Sequence, residues 1–363
     1  MSSYVTAVLW PLAIVWVIVL GLLMLGVRNG IERANKIFIP LLVVMFGLLV
    51  VRAITLDGAS LGLNALFTPD WSALSDGIVW VAAYGQVFFS LSVGFGVMVT
   101  YASYLRRKAD LTGSAVVAGF ANSSFEILAG IGVFATLGFL ATTAGSGIED
   151  VAADGLGLAF VAFPTIISSL PGTPELYGVL FFGSLVIAGL SSLISLVQMI
   201  VAAVEDRFSM KRTPAVLLVG GAAAAFSLAL LPTPEGLYIL DSADHFINAY
   251  GITVVALAIV IVVAWGLRRL EVLRAHANMT SAVPLGRWWL LTLGVVTPVV
   301  LGVILWDSLR NELAENYEGY STGFLLVTGW GVAIGALVFG VLAALPRWRE
   351  AEQAGDWSTS ANR

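Results

Sequence analysis

The chain has 363 residues, of which 59% are hydrophobic and 11% charged, and its mean hydropathy is +0.94. Soluble domains carry about 25% charged residues, so this composition cannot coat a water-facing surface and is that of a polytopic α-helical membrane protein. A formal charge of -5 without an extended basic patch excludes a nucleic-acid partner, and the lack of cysteine excludes disulfides, thiolate metal sites and cysteine nucleophiles.

A helix crosses the hydrocarbon core with about 20 apolar residues. Runs without Asp, Glu, Lys or Arg occupy 1–27, 77–105, 127–148, 155–174, 176–204, 213–234, 245–267, 288–306 and 319–346. Two further apolar stretches, 37–55 and 111–143, hold one charge each, Arg52 near an end and Glu126 near the middle; the second merges with 127–148 into one long helix. The segment 155–174 ends in AFVAFPTIISSLPGTP, where Pro164, Pro171 and Pro174 break any spanning helix. A re-entrant or surface hairpin is therefore expected over 144–173, on the extracytoplasmic side.

Short cytoplasmic loops accumulate Lys and Arg. Arg28, Arg33 and Lys36 share one loop, Arg106, Arg107 and Lys108 another, and Arg207, Lys211 and Arg212 a third; Arg268, Arg269, Arg274 and Arg287 follow, then Arg347, Arg349 and Arg363. Sixteen basic residues thus fall on one side and only Arg52 and Arg310 on the other, provided that 155–174 does not cross. Nine spans result, in a single transmembrane domain over 1–363 with a cytoplasmic tail at 347–363 and the N-terminus outside. Met1-Ser-Ser-Tyr4 carries no basic n-region and no charge to orient the first helix. An odd number of preceding helices would restore the usual parity, so the chain is expected to be truncated at its N-terminus.

Within 77–105 the stretch GQVFFSLSVGFGVMVTYASY places Ser90, Ser92, Gly94 and Gly96 at mid-membrane. Each glycine weakens a helix by roughly 1 kcal/mol, and unwound backbone at that depth persists only where it lines a cavity. With two hydroxyls and with Phe89 and Phe95 beside the break, a discontinuous helix at a binding site is expected. Glu126, in ANSSFEILAG, is the carboxylate deepest in an apolar run, and Asn122 lies one turn before it on the same helix face. A charge there costs a few kcal/mol unless it is partnered or protonated. Ser191 and Ser192, in IAGLSSLISLVQ, add hydroxyls in the next long helix. Oxygens of this kind, with carbonyls freed at a broken helix, suit a hard monovalent cation such as Na⁺. His245 and His276 are placed at opposite ends of one expected helix, and neither an HExxH motif nor a P-loop is present. No enzymatic site and no organic cofactor are expected.

These blocks carry a resemblance. The stretch VWVAAYGQVFFSLSVGFGVMVTYASYLRRK, preceded by NGIERANKIFIPLL and LNALFTPDWSAL and followed by ANSSFEILAG, AFPTIISSLP and AGLSSLISLVQMIVAAVED, resembles the neurotransmitter:sodium symporter family, and most of all its leucine-transporter-like bacterial members. The resemblance covers nearly the whole chain. It implies an inverted-repeat fold lacking the first three helices, so that the nine spans are helices four to twelve. It implies a substrate site at Phe89, Ser92, Phe95, Ser192 and Leu196. Sodium ligands follow at Ser90 and Asn122 for one ion and at Ala188, Ser191 and Ser192 for another. Gln86, Ser90, Asn122 and Glu126 match the chloride site of chloride-dependent relatives, where Glu126 replaces a serine and supplies the negative charge itself. Asp244, read as the outer start of its helix, matches the outer gate, while Asp206, near Tyr104, matches the inner one.

The function implied is sodium-coupled, chloride-independent symport of a small neutral amino acid by alternating access in the plasma membrane. Na⁺ is the co-transported ion, the amino acid and the lipid bilayer are the partners, and a homodimer is allowed. This chain alone is expected to be an incomplete fragment. A proton-coupled carrier of related fold and a non-transporting membrane subunit remain open alternatives.

Overall fold

The computed structural model describes residues 5–106, 108–148, 160, 163–169 and 174–345. Arg107, most of the expected 144–173 hairpin and the 347–363 tail lie outside the described residues. All regular structure among the described residues is helical.

In chain order, α1 is Thr6–Met24, α2 Val27–Ile54 with a π-helical first turn, and α3 Ala59–Phe67; α4 is Gly77–Ser90 and α5 Val97–Ser103. There follow α6 Leu111–Ala144, α7 Phe163–Ser169, α8 Pro174–Phe208, α9 Arg212–Leu230, α10 Gly236–Gly266, α11 Leu270–Asn278, α12 over 287–314 and α13 Thr322–Ala344. Eight helices among the described residues are long and apolar enough to cross a membrane: α1, α2, α6, α8, α9, α10, α12 with its following turn, and α13. The ninth expected span is the α4–α5 pair, whose halves are each shorter than a crossing because the helix breaks between them.

Three expectations are corrected. The helix expected at 245–267 does not begin at His245: α10 starts at Gly236, so Asp244 lies in its third turn and not at its outer start. The apolar run began late because Asp241 and Asp244 interrupt it, whereas the helix continues through them. His245 and His276 do not share a helix, since α10 ends before Arg268, whose φ is 53°, and His276 belongs to α11. The run at 288–306 is likewise only part of its helix, which carries on to Ala314 because its Asp307, Arg310 and Glu312 are polar but compatible with a helix.

Two groups of helices position everything else. The larger comprises α1, α2, α6, α8 and α9, with α3 laid along α6. Its core includes Val19 and Leu23 of α1, Ile194 and Val201 of α8, and Val216 of α9, all sealed from solvent. The second comprises α10, α12 and α13 around Phe246, Tyr250, Leu325 and Ala333, with the Trp330 ring 4.5 Å from that of Tyr250. The broken pair joins the groups, α4 packing on α12 and α5 on α8. The short α7, which opens on Phe163-Pro164, stacks Phe163 on Phe181 of α8 at 4.5 Å between ring centroids.

Contacts between connecting segments agree with alternating crossings. The backbone amide of Val5 donates to the Pro232 carbonyl at 2.8 Å, and Arg52 donates to the Tyr177 hydroxyl at 3.1 Å, at one end of the bundle. At the other end Arg212 donates to the Leu23 carbonyl at 2.7 Å, and the Ala282 amide donates to Asp110 at 3.1 Å. Asp110 also caps α6, accepting from the Gly113 amide at 2.8 Å.

The α3–α6 contact is made by backbone on backbone. A Cβ built on Gly62 would stand 1.7 Å from the Phe134 carbonyl oxygen, and neither main chain can give way. Gly62→Ala is predicted to lower stability by about 1–3 kcal/mol. Gly119→Ala, on the same α6 with nothing within 4 Å, should raise it by up to about 1 kcal/mol. Thermal unfolding of the two purified variants in detergent measures both signs.

The Asp110 carboxylate is held below the ordinary carboxylate range by the Gly113 and Ala282 amides that donate to it. A lowered native value means that the unfolded chain binds the proton first. The stabilisation is therefore complete above the ordinary range and is lost as pH falls through the native value. Asp110→Asn, which still caps, should unfold at a lower temperature than wild type at neutral pH, with the gap closing below about pH 4. Melting curves at stepped pH read this directly.

Candidate functional site

The break runs from Leu91 to Gly96, where the chain takes positive φ at three alternate residues: Ser92 at 51°, Gly94 at 87° and Gly96 at 83°. Glycine adopts this region freely, whereas Ser92 is disfavoured there by about 1–2 kcal/mol. The close neighbours leave little room for side chains here. A Cβ on Gly94 would lie 2.9 Å from the Ala256 methyl of α10, and one on Gly96 would lie 3.1 Å from the Met199 sulfur of α8. The two glycines thus let the broken segment wedge between the two helix groups.

Phe89 at the end of α4 and Phe95 in the break meet edge to face, with centroids 6.3 Å apart. Both line a cavity of about 340 Å³, together with Gly85 and Phe88, with Asp244, His245 and Asn248 of α10, and with Tyr317. Asp244 accepts from the Asn248 side-chain amide at 2.9 Å at this cavity. The expected gate residue and two of the expected substrate residues therefore share one space. Ser92 is exposed within the break. Ser192 and Leu196, one turn apart on α8, do not line this cavity.

Ser90 and Asn122 are brought together. The Asn122 amide donates to the Ser90 hydroxyl at 3.2 Å, joining α4 to α6. Gln86 precedes Ser90 by one turn and Glu126 follows Asn122 by one turn, so the four residues form two adjacent helical steps centred on that bond. Glu126 is half-buried. On α8 the Ser191 hydroxyl donates to the Ala188 carbonyl at 2.9 Å, while Ser192 is exposed beside it. The Ser90–Asn122 and Ala188–Ser191 pairs present hydroxyl, amide and carbonyl oxygens and no cluster of acids, and among the described residues no group of three His, Cys, Asp or Glu could hold a metal. This donor chemistry fits a weakly held monovalent cation better than a divalent one.

Tyr104, at the far end of α5, takes a hydrogen bond from the Gln198 amide at 2.8 Å. Gln198 is fully buried, and its carbonyl accepts from Arg212 at 2.7 Å; Arg212 also lies 3.9 Å from Glu205. Asp206 is exposed next to Glu205. Sequence reasoning missed Gln198 and Arg212, although a glutamine inside an apolar run is a legible signal. It also missed His245, Asn248 and Tyr317 as cavity walls. Those could not have been found, because nothing along the chain tells which face of α10 meets the break.

Known proteins share this sequence pattern over most of its length. The chain is 42% identical over 335 residues to an uncharacterized sodium-dependent transporter of Methanocaldococcus jannaschii, covering 92% of this chain and 67% of the relative. It is 32% identical to the sodium-dependent nutrient amino acid transporter 1 of Drosophila mojavensis, over 93% of this chain and 52% of the relative. With the sodium- and chloride-dependent glycine transporter 2 of Xenopus laevis it shares 30% identity, over 90% and 42% respectively. The crystal structure of MhsT in complex with L-phenylalanine superposes with a TM-score of 0.64 at 32% identity, over 81% of this chain and 66% of that one. The chain thus spans about two fifths to two thirds of the length of these relatives. The model of the sodium:neurotransmitter symporter family matches residues 3–350, and this multi-pass helical membrane protein belongs to that family.

Proposed function

We propose that the chain forms part of a sodium-coupled symporter for a small or medium neutral amino acid, working by alternating access and without chloride. The observation that carries this reading is the break at 91–96, which turns Phe89 and Phe95 onto a cavity while Ser90 stands 3.2 Å from Asn122. Phe89, Ser92, Phe95, Ser192 and Leu196 hold the substrate. Ser90 and Asn122 serve one Na⁺, and the Ala188 carbonyl with Ser191 and Ser192 serves another. Amino-acid transport is what the Drosophila relative is named for, the Xenopus relative is named a glycine transporter, and MhsT was solved with L-phenylalanine; these names support the substrate class.

In this reading the basic end of the bundle is cytoplasmic, the C-terminus with it, and the protein sits in the plasma membrane, where a homodimer is compatible with the fold. Asp244 gates the outer mouth, and Tyr104 with Asp206 the inner one. The chain spans about two fifths to two thirds of its relatives' length, and in this reading the rest of such a transporter contributes to both sodium sites and to binding the substrate carboxylate.

The test is uptake of labelled alanine, leucine and phenylalanine into proteoliposomes holding the complete transporter. Replacing Na⁺ by choline should cut uptake at least about ten-fold, and Ser192→Ala should weaken Na⁺ activation. Uptake that persists in choline and follows a proton gradient would replace this reading with proton coupling.

Glu126 supplies a second test of the same reading. Glu126 lies one helical turn from Asn122 on α6, so its carboxylate supplies a negative charge beside the proposed Na⁺ site. Glu126→Ser removes that charge, and transport by the variant should come to require chloride. Unchanged rates for the variant with gluconate in place of all chloride would make Glu126 a packing residue.

A further inference from the structure

His245 is not among the residues through which the proposed transport cycle binds solute or ions, yet it stands in the wall of the cavity and is tied to two other elements. Its Nε2 lies 3.1 Å from Oε2 of Glu312 on α12, a carboxylate only 8% exposed. Its ring stacks on that of Tyr317, with centroids 3.8 Å apart and planes 14° from parallel. Tyr317 belongs to the turn that joins α12 to α13, and its backbone amide donates to the other oxygen of the same Glu312 at 3.3 Å. One carboxylate therefore holds both the imidazole and the turn on which the imidazole stacks.

The turn itself is strained and pinned from the other side. Glu318 takes a φ of 50°, rare for a residue with a side chain. The hydroxyls of Tyr317 and Tyr320 donate to the two oxygens of Asp241 at 3.3 and 3.0 Å. Burial and the Asp241 carboxylate push the Tyr320 phenol up to about 12, so it remains a donor. The groups of the surrounding elements are thus identified: Asp241, Asp244 and Tyr250 on α10, Glu312 on α12, and Tyr317, Glu318 and Tyr320 in the turn. Arg310 is two residues from Glu312 and so projects from another face of α12, while α13 contributes Phe324 and Trp330 and the broken pair contributes Phe88, Phe89 and Phe95, all uncharged.

A charge-assisted hydrogen bond is roughly twice as strong as a neutral one, and histidine is the side chain that ordinarily changes charge between about pH 5 and 8. We propose that His245 is a positioning residue of the cavity mouth: protonated, it clamps the Tyr317 turn through Glu312 and narrows the cavity, and deprotonated it loosens that wall, so that proton concentration on that side sets how readily solutes enter. The proposal rests on the cavity being an entrance for solute, but its test needs no transport.

The chain contains no cysteine, so a single introduced thiol reports cleanly. Ala249→Cys places one in the cavity wall and Ser60→Cys places an exposed reference at the same end of the bundle. In purified protein, modification by a water-soluble methanethiosulfonate is timed at about pH 5.5 and about pH 8.5. The rate for the cavity-wall thiol is divided by that for the reference thiol, which cancels the chemistry of the thiolate. The normalised rate should rise about three-fold from the acid to the alkaline condition. In the His245→Gln background, and independently with Glu312→Gln, that ratio should fall to about one. A wild-type ratio of one, or variants that speed modification equally at both pH values while keeping the wild-type ratio, would reduce His245 to a structural role and overturn the proposal. Should transport prove proton-coupled or absent while the ratio behaves as expected, the reading of function fails and the clamp stands.

Discussion

Backbone groups in a bilayer have no water to turn to, and the structure is organised around the one place among the described residues where a spanning helix gives up its own hydrogen bonds. Between Ser90 and Val97 three residues take positive φ, and the helical ladder lapses for more than a turn. Such a segment survives at that depth only if other protein surrounds it or a polar cavity opens onto it. Both conditions are met here. The helix α10 approaches closely at Gly94 and α8 at Gly96, both of which hold positive φ, and the cavity beside Phe89 and Phe95 opens onto the exposed carboxylate of Asp244.

The two helix groups follow from this need. The larger group is sealed by aliphatic side chains and by main-chain contacts such as that of Gly62 on Phe134, which make it rigid. The smaller is built of aromatic rings around Phe246 and Trp330, with a polar rim of Asp241, His245 and Glu312 at one end. The broken pair touches both, α5 to one and α4 to the other. A displacement of one group against the other would be absorbed in the six residues of the break, where only the Leu91, Ser92 and Val93 amides bond back to the end of α4. In the proposed alternating-access cycle, that geometry makes the pair the natural moving part.

Polar residues inside the bundle divide by their partners. Gln198 and Arg212 are fixed to each other and to Tyr104 and the Leu23 carbonyl, so they tie helices together at the basic end. Ser90 with Asn122, and Ser191 with Ala188, make modest bonds and keep oxygen lone pairs in reserve. Groups of the second kind can trade a weak internal bond for an ion without leaving a buried donor stranded.

The spans, the break and the deep carboxylate were legible along the chain, because each depends on local properties. Twenty or so apolar residues must cross, and two glycines flanked by hydroxyls must unwind. The ends of α10 and α12 were not legible, since Asp241, Asp244 and Asp307 interrupt an apolar run without interrupting a helix. Nor could the chain order reveal that Asp244 shares a cavity with Phe89, or that His245 lies on Tyr317, residues far apart in sequence. Only tertiary packing decided which face of α10 turns toward the break, because the side-chain pattern of that helix is apolar nearly all round in its second half and marks no single buried stripe.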